Sequence, residues 1–367
     1  MDNINYTITS LVDILGLVQG LFLGVYLMIE NKKNRPTLLL GAFLIAFSFE
    51  LLDTIIDDTN LIEHYPSLLF LPVNFHYLTM PLFYLYVKHI TDIKLSNRHI
   101  LTVLLPGIIE FVMISIIFLL PTATKIELHE NEFFIIPFII LIILSFPYSV
   151  FYVIKTIKHI HKHNKKVNAL YSNTAGKRLI WARRVAYFML VFSFLWIIEV
   201  FQEENFFEDY TYPILSAINV LFIFWIGISG LKQSKIAMQT NEMNVPVAEK
   251  NGLEALSTAE SQQIIALMET DKLYKESDLS LADFAKAIGI PQRNLSQLIK
   301  QHTNKNFNQF VNYYRVEEAK RLLKDPEYDN LNMLGIAFES GFSSKATFYA
   351  VFKQFVGKTP NAYKQAV

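Results

Sequence analysis

The sequence predicts an all-α chain in two parts: an N-terminal seven-helix transmembrane bundle, then a C-terminal domain of two helix-turn-helix units joined by a long helix. Three observations predict it. Seven apolar stretches follow one another between residues 10 and 230. From about residue 256 the apolar residues recur at helical spacing between polar ones. That second part repeats a helix–glycine–helix pattern and shows no strand-like alternation. The 367 residues leave room for a bundle and one small soluble domain. The hydrophobic fraction, 52%, is high for a wholly soluble chain and ordinary for a half-membrane one. Cysteine is absent, which excludes disulfides, thiolate zinc sites and cysteine nucleophiles.

The apolar stretches are 10–29, 38–56, 68–87, 100–120, 133–154, 185–201 and 212–230. A spanning helix needs about 20 mostly apolar residues, and each stretch is close to that. The first is flanked by acids and long enough to span, so it reads as an anchor, not a signal peptide. The third and sixth are the weakest, interrupted by Asn74, His76 and Glu199.

Lysine and arginine set the orientation. They gather in alternate connections: Lys32, Lys33 and Arg35; Lys88, Lys94 and Arg98; then a run from Lys155 to Arg184 without an acid. The intervening connections carry Asp57, Asp58 and Glu63; Glu127, Glu130 and Glu132; and Glu203, Glu204, Glu208 and Asp209. This predicts a multi-pass membrane protein with its amino terminus outside and its carboxy terminus in the cytoplasm. The run from Lys155 also holds His159, His161 and His163. It reads as a solvated basic loop on anionic headgroups, because no carboxylate is at hand to complete a metal site.

Ionisable groups in hydrocarbon are costly and face a bundle interior or a water-filled cavity. Glu50, Asn74, His76, Glu110 and Asn219 fall between the midplane and the outer third of their stretches, and Glu199 is slightly shallower. They form a candidate outward-facing cavity for a cation, an amine or a proton, with His76 paired to Glu50 or Glu110. An internal polar network that only fixes helix packing is an equal alternative. Asp13 and Asp53 lie nearer the outer interface, where solvation explains them.

Residues 231–256 lose the apolar periodicity and carry Pro246 and Gly252, which marks a helix end and a flexible connector. Ser257 then caps a helix that buries Ile264, Ile265, Leu267 and Met268. LADFAKAIGI predicts a helix stopped by Gly289, and Pro291 opens the next. In that second helix Leu295, Leu298 and Ile299 point inward, with Arg293, Ser296, Gln297 and Lys300 on the opposite face. Residues 307–323 form one long amphipathic helix with Phe310, Val311, Tyr314, Ala319 and Leu322 at core spacing. The same grammar follows: LGIAFESGF stops at Gly341, and Ser343 or Ser344 caps a helix whose stripe is Phe348, Phe352 and Phe355. Lys345, Ala346, Tyr349 and Lys353 face outward. Arg293, Lys300, Lys305, Arg315, Lys320, Arg321 and Lys324, with four lysines after Gly341, supply a basic face.

LSLADFAKAIGIPQRNLSQLIKQ, NFNQFVNYYRVEEAKRLL and, most specifically, IAFESGFSSKATFYAVFKQFVGKTPNAYK resemble the DNA-binding domain of the AraC/XylS family of bacterial transcription regulators. The resemblance covers under a third of the chain. It implies recognition helices that enter successive major-groove segments on one side of double-stranded DNA. By that resemblance Arg293, Ser296 and Gln297 take base-reading positions in the first unit, and Lys345, Ala346, Tyr349 and Ala350 in the second, with Lys300 and Ser344 beside them. Ala350 departs from the polar residue common there, so the second unit is expected to favour phosphate contact. The first part of the chain does not resemble the sugar-binding barrel many members carry.

The expected organisation is a membrane sensor over 1–230, a linker over 231–256 and a DNA-binding domain over 257–367. The expected function is a membrane-tethered one-component transcription regulator, non-enzymatic and without cofactor, since no hydrolase or metalloprotease pattern is present. Its expected partners are double-stranded DNA, the lipid bilayer and an unknown ligand at the membrane part, with RNA polymerase and a second copy as candidates. A transporter or proton-coupled membrane protein with a regulatory DNA-binding tail is the alternative.

Overall fold

The computed structural model describes residues 6–30, 34–91, 95–200, 211–240 and 258–366. All regular structure among them is helical, apart from one isolated antiparallel bridge between Tyr171 and Ser280. The chain packs as two compact units, Met1–His161 with Leu179–Asn244 and Lys162–Arg178 with Val245–Val367.

The first unit holds α1 (Ile8–Glu30), α2 (Arg35–Phe49), α3 (Leu51–Asp58), α4 (Leu61–His64), α5 (Thr79–Thr91), α6 (Asn97–Phe118), α7 (Thr122–Glu130), most of α8 (Glu132–Leu170), α9 (Ile180–Val200) and α10 (Thr211–Thr240). Five helical stretches among the described residues are long and apolar enough to cross a membrane: Ile8–Glu30, Arg35–Asp58, Asn97–Phe118, Glu132–Leu170 and Pro213–Gln233. The expectation of seven spanning helices is therefore met by length and apolarity at five places.

The third expected stretch, 68–87, is not one helix. Residues 69–78 are irregular, with Phe70 at φ +61°, and helix begins only at Thr79. The 13 residues of α5 rise about 20 Å, short of the roughly 30 Å of a hydrocarbon core. Pro72, which removes a donor and constrains the residue before it, accounts for part of the break. The sixth stretch is helical in α9, which carries Arg183 and Arg184 near its start. The expected basic loop after the fifth stretch is instead helix, because α8 continues through Lys155–Lys166 to Leu170. Residues 155–170 contain neither proline nor glycine, so nothing stops the helix there. Lys32, Lys33, Lys94, Glu203, Glu204, Glu208, Asp209, Ser257 and the linker from residue 241 lie outside the described residues.

The core of this unit includes Leu40, Phe43, Leu44, Phe83 and Tyr86, all nearly inaccessible. Helix α1 packs on α2, α3 and α10 through Gly16, Gly20 and Gly24, spaced four apart on one face. A Cβ on Gly20 would collide with Ser48 Oγ, and one on Gly24 would lie 2.7 Å from Ile45 Cγ1.

The second unit continues with α11 (Thr258–Glu269), α12 (Leu281–Ile288), α13 (Gln292–Thr303), α14 (Phe307–Lys324), α15 (Met333–Glu339), α16 (Lys345–Val356) and α17 (Pro360–Lys364). It has two hydrophobic cores. One gathers Leu281, Phe284, Leu295, Leu298, Phe307 and Phe310; the other gathers Val316, Ala319, Leu322, Phe342, Phe348 and Phe352. Helix α14 gives its first half to one core and its second half to the other. An unbroken helix shared in this way holds the two helix pairs at a fixed distance.

Candidate nucleic-acid interface

Each helix pair is built by local chemistry. Ser280 and Asp283 form a capping box that starts α12. Gly289, at φ +80°, ends it in the left-handed conformation that a tight turn needs. Pro291 precedes α13, in which Leu295, Leu298 and Ile299 are buried. On the outward side Arg293 and Lys300 are exposed, and Ser296 and Gln297 are half-buried.

In the second pair Asn332 caps α15, accepting from the Leu334 and Gly335 amides at 3.0 and 2.9 Å. Gly341 follows at φ +87°, and a Cβ there would also meet Lys275 Cα at 2.7 Å. Both backbone angle and space demand glycine. Ser344 accepts from Thr347 N at 3.2 Å and caps α16, so its side chain is engaged in starting the helix. Lys345, Ala346, Ala350 and Lys353 are exposed. Tyr349 is half-buried, its hydroxyl 3.2 Å from Asn361 Oδ1 and its ring 5.7 Å from the Lys345 ammonium.

The basic face is smaller than the residue count suggests. Arg315 is 1% exposed and cannot meet a phosphate. Its guanidinium donates to Tyr274 O and Glu276 O at 2.7 Å, and to Ser277 O and Ser172 Oγ at 3.2 Å. Burial pushes its pKa down to about 10. Arg321 is committed to Glu318 at 3.0 Å and Asp325 at 3.1 Å, Lys320 to Glu317 at 2.9 Å, and Lys364 to Asp329 at 2.9 Å. Arg293, Lys300, Lys305, Lys324, Lys345, Lys353 and Lys358 have no acidic partner among the described residues. These are the cations left for phosphate attraction.

In the first unit four of the six expected polar residues lie close in the fold. His76 Nδ1 is 3.6 Å from Glu110 Oε1. The Tyr77 amide donates to Glu110 Oε2 at 3.4 Å, and Thr79 Oγ1 donates to Glu50 Oε1 at 2.6 Å. Glu50 and Asp53 are within electrostatic reach of His76, and Asn74 shares the same irregular segment. Asn219 is buried on α10, one turn from Ser216, and no hydrogen bond or ion pair joins it to that group among the described residues. The Glu199 side chain lies outside the described residues. Asp13, expected to be solvated, is fully buried and accepts from Ser216 Oγ at 3.1 Å.

Sequence reasoning missed Ser172, Asn173 and Asn308, whose contacts cross more than 100 residues of chain. Periodicity carries no sign of them. The glycines of α1 did leave a legible signal, a four-residue spacing.

Residues 284–366 match the helix-turn-helix domain family. An uncharacterized HTH-type transcriptional regulator of Staphylococcus aureus strain COL is 33% identical over 93 residues, 25% of this chain and 12% of that protein. The HTH-type transcriptional regulator GlxA of Rhizobium meliloti is 28% identical over 102 residues, 28% of this chain and 31% of GlxA. A solved structure of a Listeria innocua protein of unknown function is 30% identical over 29% of this chain and 94% of that one, with a TM-score of 0.25. The chain thus spans about an eighth of the length of the staphylococcal relatives it matches. The two glycine-turned helix pairs around α14 coincide with the matched residues, and the carboxy-terminal part of this chain is a helix-turn-helix domain.

Proposed function

We propose that the chain is a membrane-tethered, one-component regulator of transcription. The observation that carries this reading is the presence in one chain of a helix-turn-helix match over 284–366 and of five helices long and apolar enough to span a bilayer. The sensor occupies 1–230 and the linker 231–256. The domain over 257–367 reads the major groove of double-stranded DNA from the cytoplasmic side of a bacterial inner membrane. Arg293, Ser296, Gln297 and Lys300 face one groove segment; Ser344, Lys345, Ala346, Tyr349 and Ala350 face the next. Ala350 offers no hydrogen bond, so α16 contributes mainly phosphate contact through Lys345 and Lys353. RNA polymerase and a second copy of the chain are the protein partners this role calls for.

The group of Glu50, Asn74, His76 and Glu110 is where a cation or a proton would act on the bundle. The same group supports a second reading, a proton-coupled transporter with a regulatory tail. Uptake into vesicles would favour that reading. A DNA response abolished by Glu110→Gln without any uptake would favour the sensor.

Mapping of DNA cross-linked to the full-length protein in cells, with fractionation of the same cells, tests the main reading. Discrete bound sites and a membrane-fraction protein are expected. Arg293→Ala should cost about 1–3 kcal/mol at those sites if it contacts a base. A soluble full-length chain, or no discrete sites, overturns the reading.

A further inference from the structure

The connection between α8 and α9 packs with the helix-turn-helix domain. Residues Lys162–Arg178 belong to the second unit although both flanking helices run into the first. Leu170 sits against the core of the first helix pair. Beyond it the backbone makes one isolated antiparallel bridge, between Tyr171 and Ser280, and Ser172 N donates to Leu279 O at 3.1 Å. Ser172 is 2% exposed and donates through Oγ to Leu279 O at 2.6 Å. Asn308, on α14, donates to Tyr171 O at 3.2 Å and to Ser172 O at 2.5 Å. The Arg315 guanidinium reaches Ser172 Oγ. Asn173 Nδ2 donates to Asp278 Oδ1 at 3.0 Å and to Ser343 Oγ at 2.9 Å.

Those partners come from three places in the reader. Asp278 and Leu279 lead into α12 of the first pair, Asn308 and Arg315 lie on α14, and Ser343 immediately precedes the cap of α16 in the second pair. Ser172, Asn173 and Arg315 are buried donors, and bonds from them to specific acceptors mark a built interface, since such groups are costly to bury unpaired. None of these bonds uses Arg293, Gln297, Lys300, Lys345 or Tyr349, so the connection holds the reader without occupying the face offered to DNA.

We propose that residues 171–177 are a clasp that fixes the two helix-turn-helix units relative to each other in the DNA-competent arrangement, and that a change in the membrane part reaches the reader by loosening this clasp. It rests on the reading of 257–367 as the DNA reader. The clasp is joined covalently to α8 and α9, so a relative displacement of those helices pulls on Ser172 and Asn173 directly. A path through residues 231–256 is not required.

The test uses the full-length protein in lipid nanodiscs and a labelled duplex selected by the wild type from a random-sequence pool. Ser172→Ala with Asn173→Ala should weaken binding about tenfold, inside the ordinary range of coupling between sites. Because the natural chain has no cysteine, Asn173→Cys with Ser343→Cys gives a specific pair for a short bis-methanethiosulfonate cross-linker. Cross-linking should proceed in the nanodisc and bring duplex affinity to within about twofold of the wild type, an indistinguishable value on the scale of the expected loss. Absence of cross-linking, or unchanged affinity in the double alanine variant, overturns the clasp while leaving the DNA-reader assignment standing. Tighter binding by the alanine variant overturns the direction, making the contact inhibitory. If the wild type selects no duplex, the reader assignment itself falls and the clasp with it.

Discussion

Arg315 gives the sharpest test of how the reader is held together. Its guanidinium makes four hydrogen bonds, and the two to Tyr274 O and Glu276 O are the short ones, at 2.7 Å. Replacing it with Met keeps the aliphatic stem and removes every donor. Hydrogen bonds from a charged donor are worth about 1.5–3 kcal/mol each. The two short bonds alone therefore represent about 3–6 kcal/mol by that measure. Removing a buried cation returns part of this, because its desolvation no longer has to be met. The net expectation for Arg315→Met is a loss of about 3 kcal/mol. Arg315→Lys keeps the charge but not the fork, so it should lie between wild type and Met. The assay is hydrogen exchange with mass spectrometry on the intact protein, read at the amides of Lys275, Glu276 and Leu279. A loss of about 3 kcal/mol corresponds to roughly a hundredfold faster exchange wherever these amides open with the surrounding structure. Exchange in Arg315→Met within about threefold of wild type, less than 1 kcal/mol, would refute the view that this side chain ties the 274–277 turn to α14.

Three further expectations follow from the packing and the charges. Gly24→Leu should overpack the α1–α2 contact and cost at least about 1–3 kcal/mol, seen as a lower melting temperature in detergent, whereas Val18→Leu on the exposed face of α1 should change little. Ser344→Ala removes the cap of α16 and should cost about 1 kcal/mol, measurable as faster amide exchange at Thr347. Burial would raise the Glu318 carboxyl, but the Arg321 hydrogen bonds and the charges of Arg321 and Lys275 outweigh it and hold the pKa below the usual glutamate value. The folded pKa is thus the lower one, so the stabilisation is present above the unfolded value, about 4.3, and is lost as pH falls through the folded value. Protection of α14 amides should decline over that acid window, and Glu318→Gln should flatten the decline.

The helix-turn-helix pairs were legible because their determinants are local. A positive-φ glycine, a capping serine or asparagine, and an apolar residue every three or four positions act within a few residues of each other. Gly289, Gly341, Ser344 and the Phe348–Phe352 stripe each sit as the pattern requires. The third apolar stretch was not legible, because composition alone does not separate a buried irregular segment from a helix. Residues 69–78 are apolar enough, yet their backbone is interrupted where Pro72, Asn74 and His76 fall. Charge was misleading in the same way. Arg315 counts as one cation in a basic stretch, but its position on α14 turns it inward, and only its partners more than 30 residues upstream reveal that it is a strut.

A hydropathy reading divides a chain by the solvent each residue prefers, and packing can divide it elsewhere. Residues 162–178 are polar and lie between two apolar helices, so the first criterion makes them a connection. Hydrogen bonding ties residues 171–173 to the helix-turn-helix pairs, through Ser172 with Leu279, Asn173 with Asp278 and Ser343, and Asn308 with two backbone carbonyls. Such bonds are short-range and directional, and their energy depends on satisfying particular atoms and not on residue type. They stay invisible until the partners are brought together. Substitutions at Ser172 or Asn173 should therefore behave as reader mutations, altering exchange in α12 and at the start of α16 before they alter the apolar helices.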